Sequence, residues 1–387
     1  MIELLNIIFQ FILFLFLTTF KISKKKIDFF DLCGLNIIIL CNIFLVFSFL
    51  NINIYYLLGT IILFRLINFF QFDNKTYFLE FVFLRKKEIL FLFFLFFIIS
   101  FDVANNLKMG WDAQNFIFKK VLNFYNHESF SNLSAIPQPH YSHLGAYIWA
   151  FFWKSSFLKY EYIGRLFYVF IYLVSIFSIA NLINKKEIKL IFVSFLILTS
   201  YQYSFFSGLQ EILSFSFLCL FGKEFFLILD NKKKINLPLI LLIFNMTIWF
   251  KNETMIFGLI LVSFFIFIKE INLNEKIKLY IFVILLVAFR ILTYKYIDNI
   301  VQENTIPSDY QFDKTLHYLY QPETLFRALK IITFYLFVNI ARFPFLLFLI
   351  ILMPVLFFMK RNMFNIFFSY IYIMQILFIY VAFIFNF

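Results

Sequence analysis

The residues able to do chemistry in this chain stand at the edges of long apolar runs. Asp112, after Trp111 in GWDAQNFIFKK, opens the longest polar stretch. Glu211 ends the short segment SGLQE at the start of another run, and Lys251 and Glu253 flank Asn252 in WFKNETM, a polar tip between two runs. His140 and His143 follow the Pro segment of IPQPHYSH, while Arg165 and Arg342 lie near the ends of their own runs. A carboxylate can take a proton from a reacting hydroxyl, and ammonium or guanidinium groups can hold an anion through charge-assisted hydrogen bonds. The His-x-x-His spacing, completed by Glu128 or Asp112, is only a partial metal-ligand set.

Each of these residues has an ordinary role as well. Asp112 can cap the helix that begins near Ala113. Glu211 suits a first helical turn, where Ser207 and Gln210 have capping-box spacing and the helix dipole favours an acid. The Lys251 tip can be a polar hairpin turn, the histidines can be interfacial hydrogen bonders, and Arg165 and Arg342 can snorkel toward headgroups. What decides between chemistry and structure is whether the intervening elements bring these groups to one side.

Those elements are membrane spans. The chain has 387 residues, 63% hydrophobic and 14% charged, with 66 Phe; its mean hydropathy of +0.87 excludes a soluble globular domain. Phe, Ile, Lys, Asn and Tyr are the residues of A+T-rich codons, so aromatic stripes carry no functional weight. The formal charge of +12 is dispersed in short clusters between apolar runs, which speaks against a nucleic-acid face. Cys33, Cys41 and Cys219 lie within apolar runs, where thiols behave as small hydrophobes. The first apolar stretch, 4–20, precedes KISKKK and lacks the layout of a signal peptide, so it is expected to stay as an anchor.

With roughly 20 apolar residues needed per crossing, the sequence predicts an all-α polytopic membrane protein of about twelve spans. They fall at 4–20, 29–50, 55–70, 89–103, 162–183, 190–206, 209–229, 237–250, 254–268, 280–296, 333–359 and 364–385. Alternate connections carry KISKKK, Arg85 to Lys87, NKKEIK, NKKK, KEINLNEKIK and Lys360-Arg361. The positive-inside rule makes that side cytoplasmic, and the other connections extracytoplasmic. The outer set comprises the long loop 104–160, the SGLQE turn, the Lys251 tip and the loop 297–332, both long loops being too large for mere turns. Within 104–160, Pro137 and Pro139 interrupt helix, and HLGAYIWAFFWKSSFL has the character of a helix on the membrane surface. Two interfacial helices joined by an extended Pro segment are expected. The eighth and ninth spans cover only roughly 22 Å each, so the Lys251 tip is expected to sit recessed, where polar backbone must be buried in protein or line a watery cavity.

In order and sidedness, the outer loop opening with Asp112, YSHLGAYIWAFF, EYIGRLFYV, SGLQEILSFSF and WFKNETMIFGL resemble the C-type (GT-C) membrane glycosyltransferases, in particular bacterial relatives of protein O-mannosyltransferases and aminoarabinose transferases. The resemblance covers roughly 88–269. It implies a GT-C-like catalytic core at 88–296, extra N-terminal helices at 1–87 and C-terminal helices at 333–387. It also implies transfer of a sugar from a polyprenyl-phosphate donor to a lipid, glycan or protein acceptor at the outer face of the bacterial inner membrane, with inversion and no organic cofactor. On that pattern Asp112 is the base, Glu211 a further catalytic carboxylate, and Lys251, Arg165 and Arg342 the groups facing the donor phosphate. Trp111, His140, His143 and Glu253 would line the pocket, with a divalent metal at the two histidines a minor option. The family commonly pairs Asp with Glu where this chain has Asp112-Ala113, which leaves the second carboxylate open.

Two other classes fit the envelope. A flippase or transporter of a lipid-linked glycan is expected to show internal duplication and broken helices near the midplane, and no half-to-half similarity is evident. An O-antigen-type polymerase or ligase is expected to carry arginine-rich outer loops, whereas Arg327 is the exception in these.

Overall fold

The computed structural model describes residues 28–70, 83–139, 141–202, 206–230, 235–269, 271–300 and 363–386, with isolated positions between 323 and 334. The expected spans 4–20 and most of 333–359, and most of the second outer loop, lie outside the described residues. Among the described residues the chain is helical and contains no strand. Five helices are long and apolar enough to cross a membrane: Phe29–Phe49, Lys86–Asn105, Tyr162–Ala180, Glu211–Leu229 and Leu273–Ile297. Shorter apolar helices cover Ile54–Phe64, Leu237–Phe250 and Asn252–Phe267. This is the build of a multi-pass membrane protein.

We number the helices α1 (Phe29–Phe49), α2 (Ile54–Phe70), α3 (Lys86–Asn105), α4 (Phe118–Tyr125), α5 (Leu144–Ser155), α6 (Tyr162–Ala180), α7 (Lys186–Gln202), α8 (Glu211–Leu229), α9 (Leu237–Phe250), α10 (Asn252–Ser263), α11 (Leu273–Ile300) and α12 (Met363–Asn386). The chain divides into two units, one of residues 1–225, 235–256 and 277–304, the other of 226–234, 257–276 and 305–387. In the second, Phe264 meets Phe367 edge-on at 4.9 Å, and Ser263 Oγ and Tyr370 Oη share a hydrogen bond of 2.5 Å.

The first unit is organised around α6. Its apolar surface runs all the way round, so it needs neighbours on every side; 94% of its span is buried, against α1, α3, α5 and α7. By contrast α3 and α7 turn rows of Phe94, Phe97, Phe101, Ile191, Phe195 and Leu198 outward, as faces toward lipid do. Contact between α5 and α6 is unusually close at Gly164, where a Cβ would lie 2.3 Å from the Trp149 carbonyl oxygen. Only hydrogen fits there.

The first long loop, 104–160, folds as expected in kind, with one correction. A π-helical turn at Ala113–Ile117 leads into α4, a 3-10 turn covers Phe130–Ala135, and the Pro segment then leads to α5. The sequence suggested that α5 lies on the membrane surface, yet Leu144, Ile148, Trp149 and Phe151 are all fully buried in protein. The helix is apolar on every face and so satisfies protein rather than headgroups. The Pro segment is anchored by Lys120, which is 1% exposed. Its ammonium donates to the carbonyls of Gln138 at 2.9 Å, Pro139 at 3.3 Å and Tyr141 at 2.5 Å. These carbonyls belong to a strained stretch, since Gln138 has φ +55°.

Ionic groups collect at the two ends of α8. Lys223, in the apolar run, pairs with Asp31 of α1 and donates to Ser178 Oγ of α6 at 3.1 Å. Nearby, Asn181 donates to Asp28 at 2.5 Å and accepts from Lys189. The start of α1, the α6–α7 connection and the Lys223 end of α8 therefore meet, as three ends flanked by basic clusters should. Glu211 is twelve residues away, about 18 Å along the axis.

Replacing Lys120 with Met should leave three loop carbonyls without their donor and cost about 1–3 kcal/mol per acceptor that finds no water. A lowered melting temperature in detergent and faster proteolysis at 136–141 are the expected readouts.

Candidate functional site

At the other end of α8 the turn 207–211 joins the segments singled out in the sequence. The Gly110 amide donates to the Ser207 carbonyl at 2.9 Å, tying the stretch before Asp112 to the turn. Gly208 has φ +90°, and a Cβ there would stand 3.0 Å from the Trp149 ring and 3.2 Å from Arg165 Cδ. Both the backbone angle and the space demand glycine. Gln210 Nε2 donates to the Ser142 carbonyl at 3.2 Å and lies against Gly145, where a Cβ would come within 2.9 Å of its amide. Gln210 thus serves the loop rather than a capping box.

Glu211 Oε1 meets Lys251 Nζ at 2.6 Å, and Glu253 Oε1 lies 4.0 Å from the same ammonium. Lys251 gets there because it is a single extended residue, φ −159° and ψ 153°, between α9 and α10. The break frees the tip from both helices and turns its side chain to the start of α8. Burial depresses the Lys251 pKa, but the charge and hydrogen bond of Glu211, with the charges of Glu253 and Asp112, outweigh it and hold the pKa above its usual value. Asp112 is therefore close enough to act on the amine. The Asp112 side chain makes no capping hydrogen bond to the turn at Ala113–Ile117 and is exposed, which removes capping as its explanation.

The other residues fall into place differently. Trp111 is 70% exposed, its ring edge-on to Phe116 at 5.3 Å. Arg165 is 1% exposed and so does not snorkel; its Nη2 pairs with Glu161 at 2.8 Å, while Nε and Nη1 have no hydrogen-bond partner among the described residues. His143 is fully buried, with Nε2 2.9 Å from Ser48 Oγ and Nδ1 3.1 Å from Tyr294 Oη. Burial above all, then the charges of Lys120 and Arg290, hold its pKa well below normal, so it is a neutral core histidine with both ring nitrogens engaged. Its ring centroid stands 5.6 Å from that of Trp249, two residues before the Lys251 tip. His140 and Arg342 lie outside the described residues. Among the described residues no three His, Cys, Asp or Glu gather as a metal site.

One residue given no role in the sequence belongs here. Arg290 of α11, 3% exposed, donates from Nη2 to Asn252 Oδ1 and from Nη1 to Met255 Sδ at 3.1 Å, bracing the Lys251 tip. A mid-span arginine is costly unless it has a partner or a task, and that signal was present in the sequence.

The cluster sets one ammonium beside Glu211 and Glu253, with Asp112 within electrostatic range, so it places a cation among carboxylates able to take a proton. Compared with protein-family models, curated proteins and solved structures, the chain matches none.

Because the Lys251 and Glu211 side chains are 36% and 33% exposed, their pairing should contribute below about 1 kcal/mol to stability. A Glu211→Gln, Lys251→Met double-mutant cycle on thermal melting should show that small coupling. Since the folded Lys251 pKa is raised, the contribution is fully present below the ordinary lysine value of ~10.4 and is lost only as pH rises through the folded one.

Proposed function

We propose that the chain is an integral-membrane glycosyltransferase of GT-C type, moving a sugar from a polyprenyl phosphate to a lipid, glycan or protein acceptor at the extracytoplasmic face. The observation that carries the reading is the meeting of Lys251, Glu211 and Glu253, with Asp112 within electrostatic range, from three connections that the basic clusters assign to one side. A pocket at that boundary can take a lipid-tethered phosphosugar, whereas nucleotide sugars stay in the cytoplasm.

The acceptor hydroxyl attacks the anomeric carbon and its proton passes to Asp112. As the new C–O bond forms, the bond from the anomeric carbon to the phosphate oxygen breaks, with inversion. Polyprenyl phosphate leaves with one more negative charge than it had as the donor, and the Lys251 ammonium faces that charge. Glu211 and Glu253 fix where the ammonium stands. Arg165, with two unused buried donors, is the second group facing the phosphate.

Asp112→Asn should lower transfer by about 10²–10⁴-fold, the usual worth of a general base, with membrane insertion and melting temperature unchanged; full activity would remove Asp112 from the mechanism. Purified protein should consume polyprenyl-phosphate hexoses and ignore nucleotide sugars. The reverse preference would overturn the proposed function.

A further inference from the structure

A cavity of about 270 Å³ lies between the ends of α3 and α7 and the connection 106–110, against Phe206 and Ser207. It has no part in the transfer as written above. Asp102, Asn106, Lys108, Gly110, Tyr201 and Ser207 supply its polar and backbone lining. Asp102 Oδ1 accepts from Asn106 Nδ2 at 2.9 Å, and no described residue donates to its Oδ2. Tyr201 packs edge-on against Phe206 at 5.0 Å, and both rings line the cavity.

The chemistry of this lining is specific. One carboxylate and one ammonium cancel, so the cavity does not select an ion. Hydrogen-bonding groups stand there among the apolar carbon of Tyr201, Phe206, Val103 and Met109, which suits a ring bearing hydroxyls along its rim and C–H groups on its faces. The volume is just under the ~300 Å³ where small-ligand pockets commonly begin, which suits one such ring. Position matters as well. At Gly110 a Cβ would come within 3.0 Å of Leu209 and Ser207 side-chain atoms, so this wall is tight against the turn. Asp112 follows two residues on, its Cα at most about 7 Å from that of Gly110, and Glu211 follows Ser207 by four.

We propose that this cavity is the subsite for a single neutral hexopyranose ring, set beside Asp112; the assignment rests on the glycosyltransferase reading for its place in a reaction. The same chemistry serves the sugar of the donor or a sugar of the acceptor, and turnover distinguishes them. Asp102→Asn should raise KM for whichever substrate carries the ring and leave the other unchanged.

The test on binding uses full-length protein in detergent micelles and methyl α-D-gluco-, galacto- and mannopyranoside, followed by saturation-transfer NMR. At least one glycoside should bind the native chain and Lys251→Ala equally, and bind Asp102→Asn about tenfold more weakly, as the loss of a charged hydrogen bond predicts. Tyr201→Ala, a change at a partly exposed residue, should weaken it too. The proposal is overturned if no glycoside binds, if neither variant weakens binding, or if phosphoethanolamine displaces the glycoside, which would make the cavity a zwitterionic headgroup site. A sugar-free polyprenyl phosphate is titrated in parallel, and its affinity should fall in Lys251→Ala but not in Asp102→Asn. Glycoside binding without polyprenyl-phosphate binding would sink the proposed function and keep the subsite; the opposite pattern would do the reverse.

Discussion

A charged group between apolar helices has to find its partner within the protein, because hydrocarbon offers none. That constraint shapes the Glu211 end of α8. Lys251 is drawn to Glu211 at 2.6 Å and Arg290 to Asn252, and those two contacts fix a tip that neither α9 nor α10 could hold alone. The same rule acts at the far end of α8, where Lys223 is matched by Asp31. The two sites differ in exposure. Lys223 is 5% exposed and closed in by Ser178, whereas the Lys251 side chain is 36% exposed and open to a ligand. Exposure of the ammonium, rather than charge, distinguishes the end where chemistry is proposed, since Asp31 at 35% is as exposed as Glu211 at 33%.

Glycines do the rest of the positioning. Gly164 lets α6 reach the backbone of α5, Gly145 admits the Gln210 amide, and Gly208 admits Trp149 and Arg165. Together they press α5, α6 and the 207–211 turn into one block, so that the loop bearing Asp112 is referenced to the same frame as Glu211. Lys120 performs the matching task for the Pro segment, taking up carbonyls that the turn at Gln138 leaves pointing inward. A site assembled from separate connections needs that rigidity, since small misplacements at a reacting centre are costly.

Much of this was legible in the sequence. Hydropathy located helices α1, α3, α6, α8 and α9 within a few residues, and the run 237–250 stood out as a short helix because helix length scales directly with residue number. That Glu211 and Lys251 share one end of the helices, with Asp112 within electrostatic range, followed from the distribution of Lys and Arg. What stayed hidden depended on tertiary contacts. An all-apolar helix such as α5 reads the same whether it meets lipid or protein, and only Gly145 and Gly164 hinted at close packing. His143 looked like a site residue because its spacing from His140 resembles a ligand pair, yet Ser48 and Tyr294, distant in sequence, claim its nitrogens. Arg290 carried the opposite lesson, since its cost in a span was visible but its partner, 38 residues away, was not.

The central claim is that Asp112 and the Lys251 tip share one water-filled crevice on the outer side. It is tested most directly by placing single cysteines at Asp112 and Glu253 in a chain whose native thiols are replaced, and treating intact cells with a short, membrane-impermeant bis-maleimide. Each single variant should label from outside, and the double variant should cross-link within one chain. Labelling from opposite sides, or free labelling of both cysteines without any intramolecular cross-link, would contradict the account.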